Sequence, residues 1–312
     1  MKTWFAAMAM ATTLSLAPGV LAQDAPRQIP LTVGKLGDTF AYRYTMRMSI
    51  EQQMGERTLE PQSLGYRYYL DFTVRQIDDA GNTELVMRMR PGSVIVSDGA
   101  GEEMRRTQLT IPVPPTARAD EGDAQALNNL STAIDQTQVF FTVTPKGDVQ
   151  NVHGLERVME AFGQLEQSDV RLLGPIAPGQ IEQTLESIFG AEGAAGTSRR
   201  VGAGWQTTRT VDVPPVAVFD FTDDVMLDSI NGPVATLVSK GTVGVRRPTV
   251  EDAARPALGV EAFSSTTTTQ WNLEDGRLVA RVSDMVMETR WQLAEVDLLQ
   301  KQTVHVAIAR PE

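Results

Sequence analysis

GDTFAYRYTMRMSI, residues 37–50, indicates the fold most directly, because apolar and polar side chains alternate along it. A period of two residues is typical of a β-strand that buries one face and leaves the other in water. The apolar face consists of Phe40, Tyr42, Tyr44, Met46, Met48 and Ile50. We therefore predict a half-buried strand that begins just after Gly37.

Similar alternating runs follow along the chain, and short turn sequences separate them. Asp, Gly and Asn residues favour the tight turns of β-hairpins at 78–82, 146–148, 231–232 and 275–276. Hairpins join antiparallel strands, and the chain lacks the regular alternation of strands and helices that parallel sheets need. The sequence therefore predicts a mainly β (α+β) protein, built as antiparallel curved sheets or an open barrel.

The second half of the chain repeats the order of these signals. VGAGWQTTRTVDV, residues 201–213, resembles residues 33–48, because a glycine-containing start leads into an alternating pattern and hairpin signals follow. We therefore predict two related β-rich units, residues 23–190 and 191–312. The alternative is that hairpins recur at such intervals in an antiparallel protein without any duplication.

Three short helices are predicted from apolar residues that recur three or four positions apart. Their apolar faces are Ala124, Leu127, Leu130 and Ile134; Val152, Leu155, Val158, Met159 and Phe162; and Ile181, Leu185, Ile188 and Phe189. Pro178 and Gly190 are start and stop signals for the third helix. Small and polar residues predict a flexible link or exposed loop at 190–200 and a long loop at 97–123.

The first 22 residues have the features of a signal peptide, with Lys2, an apolar run, a Pro18–Gly19 pair and the small Ala22. We expect cleavage after Ala22 and a periplasmic or secreted mature protein. The alternative is an N-terminal membrane anchor, but the apolar run is shorter than the roughly 20 residues that a spanning helix needs.

Composition limits the partners that we expect. The formal charge is -11, and it becomes -12 once Lys2 is removed with the signal peptide. An acidic surface repels nucleic-acid phosphates, so we expect no nucleic acid as a partner. No later segment is apolar for long enough to cross a bilayer, so we expect no integral membrane span after signal cleavage. The chain has no cysteine, so burial alone must hold the fold.

Residue types that build common catalytic sites are scarce. The chain contains two histidines, His153 and His305, and neither has the sequence context of a known nucleophile. Without cysteine or clustered histidines, we expect no zinc site. The acidic pairs at 78–79, 102–103 and 223–224 are predicted in solvated turns or loops, and the last pair lacks the spacing of a calcium-binding EF-hand. We therefore predict a protein that is not an enzyme and uses no metal or cofactor.

The apolar faces of several predicted strands are rich in methionine and aromatic side chains. The candidate ligand-binding residues on these faces are Tyr42, Tyr44, Met46, Met48, Tyr68, Phe72, Met87, Met89, Met285, Met287 and Trp291. Methionine is flexible and polarisable, and it lines adaptable apolar surfaces that accept ligands of several shapes. The alternative is that these faces form an ordinary closed core, because every sheet must bury one face.

Short motifs give a resemblance to a known family. LTVGKLGDTFAYRY (31–44), VTPKGDVQNVHGLERVMEAF (143–162) and RVGAGWQTT (200–208) resemble an uncharacterised family of exported bacterial proteins classed as a domain of unknown function. The resemblance implies a strand-rich envelope protein and supplies no activity or site residues. A looser similarity at the level of the fold is to periplasmic lipid carriers, in which an unclosed β-barrel wraps helices.

These observations favour an exported, non-catalytic binding protein for a hydrophobic or envelope-derived ligand, such as a small molecule or lipid. One alternative is a structural or protein-interaction component of the cell envelope, with an envelope protein as its partner. A second alternative is a hydrolase, which would need His153 or a pair of carboxylates at a pocket.

Overall fold

The structure, a computed structural model, describes residues 25–98, 107–110, 132, 135–163, 178–213, 217–246, 257–293 and 296–311. The strands are β1 (Arg27–Ile29), β2 (Thr39–Met54), β3 (Arg57–Thr58), β4 (Gln62–Ile77), β5 (Thr83–Asp98), β6 (Thr107–Thr110), β7 (Gln138–Val143), β8 (Val149–His153), β9 (Thr197–Arg199), β10 (Gly204–Val213), β11 (Ala217–Asn231), β12 (Val234–Arg246), β13 (Ala257–Asn272), β14 (Arg277–Leu293) and β15 (Val296–Ala309). The helices are α1 (Glu156–Gly163) and α2 (Pro178–Phe189), and a 3-10 turn (Ala191–Gly193) follows α2. The predicted signal peptide lies outside the described residues.

One antiparallel sheet contains thirteen of these strands. Its order is β10-β11-β12-β13-β14-β15-β2-β4-β5-β7-β8, with β3 paired to β2 and β6 paired to β5. β8 and β10 stand at the two ends of this order, so the sheet is open. The predicted architecture, mainly β, antiparallel and open, is confirmed.

The predicted hairpins are present. The turns at 78–82, 146–148, 231–232 and 275–276 join β4 to β5, β7 to β8, β11 to β12 and β13 to β14. The second predicted start also holds, because β10 begins at Gly204. Turn residues and alternation are local signals, which is why the sequence alone located these elements.

The sheet continues across the boundary that was predicted between the two units. β15 is the last strand in the chain, and it pairs with β2 from Ala309↔Arg43 to Leu298↔Met54. Strands from the beginning and the end of the chain are therefore neighbours in the middle of the sheet. The internal duplication itself stays a prediction.

Helix α2 covers part of the inner face of the sheet. Its residues Leu185 and Ile188 are 0% and 1% exposed. The Phe189 ring at its end packs against Phe72 and Phe141, with ring centroids 5.6 and 5.7 Å apart. Aromatic pairs at this spacing add to the stability gained by burying their area. The core therefore includes the contact of α2 with strands of the first predicted unit, and it continues to buried side chains of the second, such as Leu237 and Trp271.

The sheet is strongly curved. The evidence is that residues around the end of α2 contact both ends of the sheet, namely the turn that leads into β8 and the strand β10. A Cβ placed on Gly147, in the turn that leads into β8, would lie 2.5 Å from the Phe189 carbonyl oxygen. Glu192 lies three residues after Phe189, and its carbonyl oxygen accepts a hydrogen bond from Trp205 Nε1 on β10, at 2.8 Å. The helix end thus bridges the two edges of the open sheet.

The prediction of a flexible link or exposed loop at 190–200 is wrong. Ala191, Ala194 and Ala195 are at most 2% exposed, and β9 pairs with β1 in a separate two-stranded sheet. A Cβ on Gly196 would lie 2.8 Å from the Pro145 carbonyl oxygen, and its φ of +71° also favours glycine. Small residues allow close packing here, whereas we interpreted them as a sign of flexibility.

Two α-helices are present among the described residues, whereas three were predicted in the chain. All four residues of the apolar face that begins at Ala124 lie outside the described residues, and the second helix needs a correction. Val152 belongs to strand β8 and not to the second helix, which starts at Glu156. The loop predicted at 97–123 contains strand β6, which pairs with β5.

Candidate functional site

The inner face of the sheet contains a cavity of about 350 Å³, which we call the apolar cavity. Its lining residues from β2, β14 and β15 are apolar except for Arg281, Ser283 and Gln302, and α2, β10, β11 and β13 supply the others. The residues that give it an apolar surface are Tyr44, Met46, Met48, Val211, Phe221, Met285, Val304, Val306 and Ile308. Val211 is 38% exposed, so this end of the cavity reaches the surface.

The strand register explains why these side chains meet. Met285 on β14 lies opposite Val304 on β15, and Val304 lies opposite Met48 on β2. Two residues further along β15, Val306 lies opposite Met46 on β2. Because side chains at paired positions point to the same face, each row places apolar groups side by side.

A second cavity of about 280 Å³, which we call the polar cavity, lies against the first. The two share Gln183, Ser187, Arg209, Ser265, Arg281 and Ser283. The polar cavity is lined in addition by the β7–β8 turn, by carboxylates and by Ser and Thr side chains of β10, β12 and β13. The concave interior therefore changes from an apolar to a polar lining over a short distance.

Gly241 makes room for a carboxylate in the polar cavity. It lies opposite Asp223 on β11 and Ser265 on β13. A Cβ at Gly241 would lie 2.6 Å from Asp223 Oδ1 and 3.0 Å from the Ser265 Cβ. The missing side chain therefore leaves the space that the Asp223 carboxylate occupies.

Glu192 is the centre of a hydrogen-bonded cluster between the helix end and the sheet. Its Oε1 accepts hydrogen bonds from Arg281 Nε at 2.7 Å and from Thr269 Oγ1 at 2.9 Å. The side chains of Glu192 and Arg281 are 14% and 16% exposed. The Glu192 backbone φ of +52° is a left-handed conformation that is unusual for a residue with a side chain. The sheet thus holds the carboxylate firmly at the boundary of the polar cavity.

Arg209 differs from Arg281 in its partners. Among the described residues, no carboxylate lies within ion-pair distance of its guanidinium group, which lies 4.6 Å from the centroid of the Phe221 ring. Gln183 on α2 can present its amide oxygen to the same guanidinium. Burial lowers the pKa of Arg209, with Asp223 acting in the opposite direction. Arg209 remains charged at neutral pH, because its ordinary pKa is far higher.

Two carboxylates of the polar cavity are affected by burial. Burial raises the pKa of Glu186 and of Asp223, while Arg209 acts against the shift at both groups. Asp223 was predicted in a solvated turn, and this is wrong, because Asp223 and Asp224 lie within β11. Alternation sends Asp223 inward and leaves Asp224 exposed.

The eleven candidate residues fall into three groups. Tyr44, Met46, Met48 and Met285 line the apolar cavity. Tyr42 and Phe72 are packed in the core, and Tyr68, Met87 and Met89, together with Tyr44, surround a void of only about 20 Å³. Met287 and Trp291 continue the inner face of β14 beyond both cavities.

Sequence reasoning missed Arg209, Arg281 and Glu192. Arg209 on β10 and Arg281 on β14 both lie at inward positions of alternating strands, so the alternation in the sequence could have identified them. Glu192 could not have been found this way, because it lies in a turn and its partners Thr269 and Arg281 are 77 and 89 residues away.

Other residues that the sequence analysis considered for catalysis or metal binding lie away from these cavities. His153 is exposed and stacks on Phe140, and His305 on the outer face contacts Asp284, with its Nδ1 2.8 Å from Oδ1. Asp220 also faces outward, where it contacts Arg246 and Thr210. The described residues contain no cluster of metal-ligating side chains and no helix that is long and apolar enough to cross a membrane.

No protein-family model and no curated protein sequence matches the chain, so the resemblance to the uncharacterised exported family stays a prediction. A solved structure on lipid–protein interactions in lipovitellin is similar with a TM-score of 0.41 and 9% identity. That similarity covers 89% of this chain, which spans only 26% of the lipovitellin chain. An outer membrane channel from Pseudomonas putida F1 is similar with a TM-score of 0.23 and 11% identity, over 93% of this chain and 99% of the other. Because both TM-scores are below 0.5, we base no functional conclusion on them.

Proposed function

We propose that the protein is a non-catalytic binding protein that holds a hydrophobic ligand in the apolar cavity. The observation that supports this proposal is the unfilled volume of about 350 Å³ beside Met46, Met48 and Met285. This volume falls within the roughly 300–1,000 Å³ of small-molecule sites. Flexible methionine side chains would let the wall adapt to ligands of different shapes.

The size of the cavity argues against a simple packing defect. Protein interiors are packed as densely as organic crystals, and the few voids in them are small. The neighbouring core of this protein follows that rule, because the void beside Met87 has about 20 Å³. The apolar cavity is more than ten times larger. An interior that is tightly packed in one region and open in the next favours a binding function for the open region.

The proposal also covers where the protein acts, and it assigns the protein no catalytic reaction. With the predicted signal peptide, the protein would act in the periplasm or outside the cell and take its ligand from the envelope. A hydrolase stays a second alternative, because His153 and His305 line neither cavity but the carboxylates Glu186, Glu192 and Asp223 line the polar cavity. A structural role in the envelope stays an alternative, and it is the conclusion to draw if no ligand binds.

The test uses the chain from Gln23 onward, purified gently from its own envelope fraction. Native mass spectrometry followed by denaturation and extraction will detect a retained small molecule. In parallel, fluorescence titration with the neutral apolar probe N-phenyl-1-naphthylamine measures binding directly. We expect a released apolar compound, and saturable probe binding after the compound has been removed.

A matched pair of variants tests whether the probe binds in the apolar cavity. Val306→Phe fills the apolar cavity, and we expect probe affinity to fall by about tenfold or more, since the added ring takes the space of the ligand. Val282→Phe introduces the same side chain on the outer face of the adjacent strand β14, where Val282 is 38% exposed, and should leave affinity unchanged. Equal affinity in all three proteins, or no binding by any of them, would contradict the proposal.

A further inference from the structure

The charges at the apolar cavity are arranged asymmetrically. Among the described residues that line it, only Arg209 and Arg281 are charged at neutral pH, and none is a carboxylate. The carboxylates Glu186, Glu192 and Asp223 line the polar cavity on the far side of these arginines. A ligand in the apolar cavity therefore meets positive charge at the polar end of its site.

The two arginines are not equally available to a ligand. Arg281 already donates to Glu192 at 2.7 Å. Arg209 has no carboxylate within ion-pair distance among the described residues, although Asp223, Glu192 and Glu186 interact with it electrostatically over longer distances. Its contacts are the Phe221 ring and the Gln183 amide. A guanidinium group has five N–H donors, more than the single Gln183 oxygen can accept, so donors remain for a carboxylate or phosphate.

The positions of Arg209 and Phe221 reinforce this reading. Arg209 lies directly opposite Phe221 in the register of β10 and β11, and both residues line the apolar cavity. Phe221 also packs against Phe263, with ring centroids 5.7 Å apart, so the ring beneath the guanidinium is itself held in place. The fold thus holds one partly buried cation at the point where the apolar lining ends. The carboxylates that interact with this cation lie beyond ion-pair distance, so an anion that binds in the cavity gives it a direct partner.

We propose that the ligand is an amphipathic anion whose tail occupies the apolar cavity and whose carboxylate or phosphate group binds Arg209, with Arg281 beside it. This inference rests on the proposed function and adds the chemical class of the ligand. Two sources share this chemistry, a fatty acid with its carboxylate and a lysophospholipid with its phosphate. Both carry one acyl chain and an anionic head, so they differ in the group that Arg209 would bind.

The experiment measures displacement of N-phenyl-1-naphthylamine by three competitors: oleate, oleoyl-lysophosphatidylglycerol and the uncharged oleyl alcohol. We expect one or both anions to bind tighter than the alcohol by about tenfold, because a hydrogen bond to a charged group contributes roughly one factor of ten or more. The tighter anion identifies the head group. Equal affinity of all three competitors would overturn the inference and leave the proposed function intact, whereas failure of all three to bind would overturn both.

Arg209→Gln locates the head group. The variant should lose about tenfold in affinity for the anion and keep its affinity for oleyl alcohol, which also shows that the cavity is still folded. Arg47→Gln is the control, since Arg47 is exposed on the outer face of β2, and it should bind all competitors as the wild type does. An equal loss for anion and alcohol in Arg209→Gln, or no loss for either, would overturn the assignment of Arg209.

Discussion

The inner face of the sheet has a different character in its two regions. Along β2, β4, β5 and β7 it carries large apolar side chains, such as Phe72, Met87 and Phe141, which are at most 1% exposed. Along β10 to β15 the inward positions combine buried apolar side chains, such as Trp271, with Asp223, Ser265 and arginines, and the two large cavities adjoin the polar positions. Alternation is the same in both regions, so strand pattern does not decide where a cavity forms. The size and polarity of the inward side chains, and the position of α2, decide it.

The test with the largest expected effect compares alanine substitutions of two methionines, one in the packed region and one beside the apolar cavity. Met87→Ala should lower the free energy of unfolding by about 3 kcal/mol, because it removes a packed side chain and enlarges a void. Met285→Ala makes the same change beside the apolar cavity, where fewer contacts are lost, and should lower it by less than about 1 kcal/mol. Urea unfolding followed by circular dichroism measures both values. Equal destabilisation would show that the apolar cavity is packed in solution.

The second test concerns the polar region and its cluster at Glu192. Glu192→Ala leaves the buried Thr269 hydroxyl and the Arg281 guanidinium without their acceptor, and should lower the free energy of unfolding by about 2 kcal/mol. Glu192→Gln keeps an oxygen acceptor without the charge and should have an intermediate effect. The same urea titrations apply. If Glu192→Ala were as stable as the wild type, the cluster would not connect the helix end to the sheet.

The smallest expected effect is a pH dependence at the boundary between the regions. Burial raises the pKa of Tyr42 and of Tyr44 to about 12, although nearby arginines act in the opposite direction. Below pH 10 both phenols are protonated in the folded and unfolded states. Between pH 10 and 12 only the unfolded chain loses these protons, so stability falls as pH rises, by about 1 kcal/mol per tyrosine at pH 11.

Phenylalanine variants isolate this contribution from that of the other tyrosines. Tyr44→Phe and Tyr42→Phe should each lose less stability than the wild type between pH 9 and pH 11, when unfolding by urea is measured at both values. Tyr42 also donates a hydrogen bond to the Leu278 carbonyl oxygen at 3.1 Å, so its variant starts from a lower stability. A pH dependence identical to that of the wild type in both variants would contradict the raised pKa values.

Much of the fold could be predicted because its signals are local. The inward residues of β2 and the hairpin turns follow from alternation and turn chemistry within a few residues. The segment at 190–200 was misjudged, because a run of glycine and alanine fits both a flexible link and a closely packed turn. What distinguishes the two is the neighbouring backbone, such as the Pro145 carbonyl oxygen beside Gly196, and that neighbour is 51 positions away.

The candidate site could be predicted only in part. The sequence identified Met46, Met48 and Met285 as inward-facing and adaptable, but the same reasoning included Tyr42 and Phe72, which are packed in the core. Periodicity reports which side of a strand is buried and carries no information about what packs against it. The distinction between core and cavity needs the curvature of the whole sheet.

The sequence by itself determined that this chain forms antiparallel strands with one apolar face and that burial holds them together without disulfides. The tertiary structure alone decided that α2 fills one region of the concave face and leaves the other open, and that Arg209 and Glu192 meet at its boundary. The physical reason is range. Strand alternation and turns depend on residues next to each other, whereas a cavity and its charges depend on contacts between strands far apart in the chain.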